Sequence, residues 1–153
     1  MRVLVSLVLV LFLTSCTTRK QSIGNFTEKE ASELAIILLL NQQVTEWNNG
    51  NLDGFMEAYW KSDSLLFITA TSTRKGWQSV YDSYRKNYFK TESTRGILKF
   101  EVLEFYPLNQ QNNEILVLGK WEVNKEEKIS SGKFSLIMKQ IEGKWRIIVD
   151  HTW

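Results

Sequence analysis

Apolar positions along this chain follow two rhythms. Through the first half they recur three and four residues apart, the spacing of one helix face; from Ile97 onward they alternate, as they do along strands. Thr27 and Glu30 stand at the spacing of a capping box, so the first helix is expected to begin there. Its apolar side is Leu34, Ile37, Leu38, Leu40, Val44 and Trp47, and Asn49-Gly50 stops it. A short second helix follows the Asn51 cap, turns Phe55, Met56, Tyr59 and Trp60 inward, and ends at Lys61-Ser62-Asp63. Residues 65–71 predict a strand, residues 72–75 a polar turn and residues 76–90 a third helix. The stripe of that helix, Trp77, Val80, Tyr81, Tyr84 and Tyr88, is almost wholly aromatic.

Strands are expected at 97–106 and 115–123, with an Asn/Gln-rich loop between them, and at 134–141 after a solvated stretch, 124–133, whose tip is Lys125 to Lys128. Glu142-Gly143 is a two-residue hairpin turn into the final strand, so antiparallel neighbours are expected. Leu98, Phe100 and Val102 share one parity, whereas Leu103 and Phe105 take the other, which predicts a bulge near Val102-Leu103. In the final strand the odd positions Trp145, Ile147, Val149, His151 and Trp153 share one face; Arg146, Ile148, Asp150 and Thr152 share the other. The chain's one histidine therefore falls on the apolar face.

Ahead of these elements, Met1-Arg2, an apolar run over 3–13 broken by Ser6, and small polar residues have the layout of a signal peptide. The run is too short for a hydrocarbon core, which needs about 20 helical residues. It closes in Leu13-Thr14-Ser15-Cys16, which resembles a bacterial lipoprotein signal. That resemblance implies removal of residues 1–15 and acylation of Cys16, which anchors the exported protein in a lipid bilayer. Thr17, standing where an aspartate retains such proteins at the inner membrane, implies the outer membrane, facing the periplasm. Residues 16–25, polar and without periodicity, read as a tether, and residues 26–153 as the folded domain.

Composition adds little to this picture, since 43% hydrophobic and 24% charged residues describe an ordinary single globular domain. Charge excludes more. Without Arg2 the chain holds 18 basic against 17 acidic residues and no basic cluster, so nucleic acid is not an expected partner. One histidine and one cysteine destined for lipid leave only carboxylates for a metal, and none has the spacing of a calcium loop. Neither metal nor cofactor is expected.

Three helices, a strand between the second and third, and then long strands resemble the nuclear-transport-factor-2-like superfamily, most closely its SnoaL-like branch. The residues that carry the resemblance are Trp47 to Phe55, Tyr59-Trp60, Gly76-Trp77 and the ending Gly143 to Thr152. It implies an α+β fold in which a cone-shaped, curved antiparallel sheet is covered by three N-terminal helices around a pocket. It also implies a possible homodimer through the outer sheet face, where Ile137 and Ile148 would lie. Activity does not follow from it, because this fold carries enzymes and binding modules alike.

Trp47, Tyr59, Trp60, Trp77, Tyr81, Tyr84, Trp121, Phe134 and His151 are expected to face the cone. Their aromatic faces suit a small apolar or aromatic ligand, bound without turnover. Regularly spaced aromatics also fill cores, so the pattern leaves open which line a cavity. The alternatives are an isomerase, dehydratase or hydrolase using His151 as acid or base, and a dimerising assembly domain. Strict alternation turns Asp150 away from His151, which makes Asp63 and Glu57 the better partners for the imidazole; Asp82 reads as solvated.

Overall fold

A computed structural model describes residues 27–91, 95–126 and 128–153. The expected signal peptide, Cys16 and the expected tether lie outside the described residues. Helix α1, Glu28–Asn48, starts on the expected capping box: Thr27 Oγ1 accepts from the Glu30 N–H at 3.2 Å, and the Glu30 carboxylate accepts from the Thr27 N–H at 2.8 Å. It stops at Asn49, and Gly50 takes φ 76° beyond it. The inward stripe is Ile36, Leu40, Gln43 and Trp47, whereas Leu34 and Leu38 are exposed. Residues 35–40 are apolar without a break, so the sequence contains no phase there, and packing selects it.

Helix α2, Leu52–Met56, is capped by Asn51, whose side chain accepts from the Gly54 N–H. Strands β1, Leu66–Thr69, and β2, Thr73–Lys75, form a small hairpin where a strand and a polar turn are expected. Helix α3, Trp77–Asn87, follows from Gly76 at φ 90°. The remaining strands are β3, Ile97–Pro107, β4, Glu114–Lys125, β5, Lys128–Ile141, and β6, Lys144–Thr152. The stretch expected to be solvated, 124–133, is largely strand, because the β4–β5 register continues out to Lys125 opposite Lys128.

These six strands form one curved sheet in the order β2-β1-β6-β5-β4-β3. It is mixed rather than antiparallel, since β1 lies parallel to β6. That pairing follows from connectivity: α3 and the whole β3–β5 meander separate β1 from β6, so no tight turn dictates their direction. The β3–β4 register shifts between Val102 and Glu104, at the predicted bulge. A second shift, not expected, lies in β6: Met138 pairs with Ile147 but Ile137 with Val149, leaving Ile148 as the extra residue. The helices cover the concave face, and Ile36, Leu40, Phe55 and Met56 join Ile115, Val117, Leu136, Met138 and Ile147 in one core.

Candidate functional site

That core does not fill the space between the helices and the sheet. A cavity of about 500 Å³ remains, within the 300–1,000 Å³ usual for small-molecule sites. Its base is deeply buried, formed by Gln43, Phe55, Tyr59, Val80, Ile147 and Asp150. Its rim is polar and more open, with Thr71, Ser72 and Arg74 from the β1–β2 hairpin, Ser83 and Asn87 from α3, and Lys125 and Ser130 from the β4–β5 hairpin.

The aromatic wall is held by side-chain geometry. The Trp47 ring meets Phe55, Tyr88 and Phe89 with centroids 5.1–5.2 Å apart, and its Nε1 donates to the Gly96 carbonyl at 3.0 Å. Phe134 lies across Gly119, its cross-strand partner, and edge-on to Phe100 at 5.4 Å. A Cβ at Gly119 would collide with the Phe134 ring, so glycine there sets where that ring stands.

The chemistry of the base follows from the β6 bulge. Trp145 and Ile147 face the helices as alternation predicts; past Ile148 the parity reverses, and Asp150 and Thr152 line the cavity beside Phe67, Thr69, Phe134 and Leu136. Tyr59 Oη donates to Asp150 Oδ2 at 2.7 Å, and the Tyr84 hydroxyl lies 3.2 Å from that of Tyr59. Since the Tyr59 proton is committed to Asp150, Tyr84 is the donor of the second bond. Asp150 Oδ1 is buried with no hydrogen-bond partner. Burial pushes the Asp150 carboxyl up to about 7, against the lowering effect of the Tyr59 bond. Both tyrosines are raised well above their ordinary value, first by burial and then by the Asp150 charge.

Of the nine residues expected to face the cone, Trp47, Tyr59, Tyr84, Trp121 and Phe134 line this cavity. The other four lie elsewhere. Trp60 follows Tyr59 in extended backbone that bridges to Ile147, so its side chain points away from the inward Tyr59. Trp77 and Tyr81 stack on each other at 5.0 Å and tie α3 to α2, through Trp77 Nε1 to the Met56 carbonyl and Tyr81 Oη to Asp53. His151 sits on the outer sheet face, between Ile68 and Ser135 in register, with its ring 4.7 Å from Trp153. Asp63 and Glu57, expected as its partners, are exposed and outside the cavity. Asp150, Gln43, Phe67 and Arg74 are cavity residues that pattern reading missed; only the β6 parity change, invisible in sequence, could have exposed Asp150. Among the described residues no three His, Cys, Asp or Glu side chains gather as metal ligands.

No family model matches the sequence, and no curated protein does. Solved structures do. An NTF-2 like protein of unknown function from Shewanella oneidensis MR-1 is 33% identical, with 78% of this chain and 97% of that chain covered at a TM-score of 0.73. A domain of unknown function with a cystatin-like fold from Nostoc punctiforme is 22% identical over 83% of this chain and 78% of its own, at 0.67. An NTF2-like protein of unknown function from Pseudomonas putida KT2440 is 15% identical over 80% and 85%, at 0.63.

Proposed function

The chain belongs to the nuclear-transport-factor-2-like family, and on that premise we propose that it is a lipid-anchored binding protein whose cavity holds one small apolar or aromatic molecule without turnover. The observation that carries this reading is the cavity itself: about 500 Å³ of space walled by Trp47, Phe55, Tyr84, Phe100 and Phe134, with a buried Asp150 oxygen unpartnered at its base. A protein interior ordinarily closes such space, so a ligand that fills it is the economical explanation. The sequence Leu13-Thr14-Ser15-Cys16 supports the anchor, and Thr17 supports the outer membrane, facing the periplasm. The element order and the Gly143 to Thr152 ending support the SnoaL-like branch.

Each half has its own test. Phenylnaphthylamine, an uncharged dye that fluoresces in apolar surroundings, should bind the full chain at one site. Ser83→Trp, which sets an indole at the rim, should weaken it by about tenfold, or about 1.4 kcal/mol. Unaltered binding in that variant would sink the cavity reading. Cys16→Ser should move the protein from membranes to the soluble fraction, and continued attachment would refute acylation.

One observation favours a second reading, acid–base turnover. It passes from His151, which lies outside the cavity, to Asp150, a buried carboxyl at about 7 joined to two hydroxyls. Turnover carried by Asp150 would disappear in Asp150→Asn while dye binding persisted, and its rate would inflect near neutral pH.

A further inference from the structure

The distribution of charge along the cavity is uneven. At the base the one ionisable acid is Asp150, and the Tyr59 and Tyr84 protons are already committed to the chain that ends on it. A second negative charge placed there would face the Asp150 carboxyl in a desolvated space, with both tyrosine hydroxyl protons already taken. The rim is the opposite. Its charged side chains are Arg74 on β2, one edge strand, and Lys125 at the end of β4, next to the other edge strand, β3.

Neither cation has a carboxylate partner among the described residues. Elsewhere in the sheet Lys99, Lys120 and Lys139 each meet a glutamate across the strands. Arg74 Nη1 donates to Ser72 Oγ at 2.7 Å, which orients the guanidinium and leaves its other N–H groups to bind. Lys125 Nζ stands 5.0 Å from the centre of the Tyr88 ring, over the aromatic wall. A shallower depression of about 300 Å³ shares Arg74, Ser83 and Asn87 and adds Lys86 and Asp82. Asp82 there is bonded by Gln78 and lies 3.9 Å from Arg85, so it does not neutralise Arg74.

We infer that the molecule held in the cavity is an amphipathic anion, whose single carboxylate, sulfonate or phosphate group lies at the rim with Arg74 and Lys125 while its apolar body fills the aromatic base. The inference rests on the cavity being a binding site, and it adds the ligand's charge and direction of entry. Hydroxyls of Thr71, Ser72, Ser83 and Ser130 surround the same rim and can donate to anionic oxygens. The apolar end, entering first, reaches Phe55, Phe67 and Tyr84, beside Asp150.

The test pairs two dyes that differ by one charge, anilinonaphthalene sulfonate and its uncharged counterpart phenylnaphthylamine, titrated into the full chain at low salt. The sulfonate should bind more tightly, and added salt should erode the difference. Arg74→Gln and Lys125→Gln should each cut the ratio of sulfonate to amine affinity by about five- to tenfold, with Lys125→Arg restoring it. Equal affinity for the two dyes, or a ratio unchanged in both glutamine variants, would overturn the anionic ligand and leave the cavity reading standing. Binding of neither dye would remove the cavity reading, and this inference with it.

Discussion

Asp150 and His151 are neighbours in one strand, and the molecule treats them in opposite ways. Asp150 is buried at the base of the cavity, accepts a hydrogen bond from Tyr59 and keeps one oxygen without a partner. His151, the residue type better suited to proton transfer, lies on the far face of the sheet against Trp153. One inserted residue, Ile148, makes the difference, because a bulge reverses which parity faces the helices. Which side chain can do chemistry is therefore decided by register before residue type. An ordinary carboxyl, once desolvated, titrates near neutrality, a range usually left to histidine.

The largest effect expected from breaking this asymmetry belongs to Asp150→Asn. An unfolded chain ionises this carboxyl near 3.8 and the folded chain near 7. Stability contributed by the neutral buried acid is thus fully present below 3.8, declines as pH rises between those values and is flat above 7. At about 1.4 kcal/mol per unit the total swing is about 4 kcal/mol. Asparagine never ionises, although its amide leaves an N–H unpaired at a cost of about 1–3 kcal/mol. The variant should therefore melt lower than the wild type in acid, higher above neutrality, with the two profiles crossing between. Parallel profiles would show that Asp150 does not titrate in a buried site.

Tyr59→Phe should have a smaller effect with the opposite pH sense. It removes the one hydrogen bond made to Asp150, which lowers that carboxyl, so the group should titrate still higher. The cost falls chiefly on the ionised form: about 1–3 kcal/mol above neutral pH and less in acid, read from chemical denaturation at two pH values. A cost independent of pH would mean that Tyr59 contributes packing alone.

Why one bulge was legible and the other was not follows from what each turns inward. In β3 the residues on both sides of the irregularity, Val102 and Phe105, are apolar, so the change of parity is written in the hydrophobic pattern. In β6 the residues turned inward after Ile148 are Asp150 and Thr152, which pattern reading assigns to solvent. Ile148 and Val149 suit either face and give no warning. Capping pairs, turns and β3 were readable because local chemistry and burial agree there. The base of the cavity was not, because a site that keeps a carboxyl in the interior departs from the rule by which interiors are recognised. For α1 the obstacle was different: an unbroken apolar run offers several faces, and only contact with the sheet chooses Ile36 and Leu40 over Leu34 and Leu38.

His151→Ala completes the comparison with the smallest effect. The imidazole is half-exposed, touches Trp153 and lies outside the cavity, so its loss should cost no more than about 0.5–1 kcal/mol. Phenylnaphthylamine affinity and the pH dependence of stability between 4 and 7 should both stay those of the wild type, since the bulge that buries Asp150 lies at Ile148 and is untouched. A measurable loss of dye binding, or a flattened pH profile, would mean that the outer face is coupled to the cavity across the strand. Asp150 would then owe its behaviour to its neighbour as well as to its burial, and the division of β6 into a chemical face and a structural one would fail.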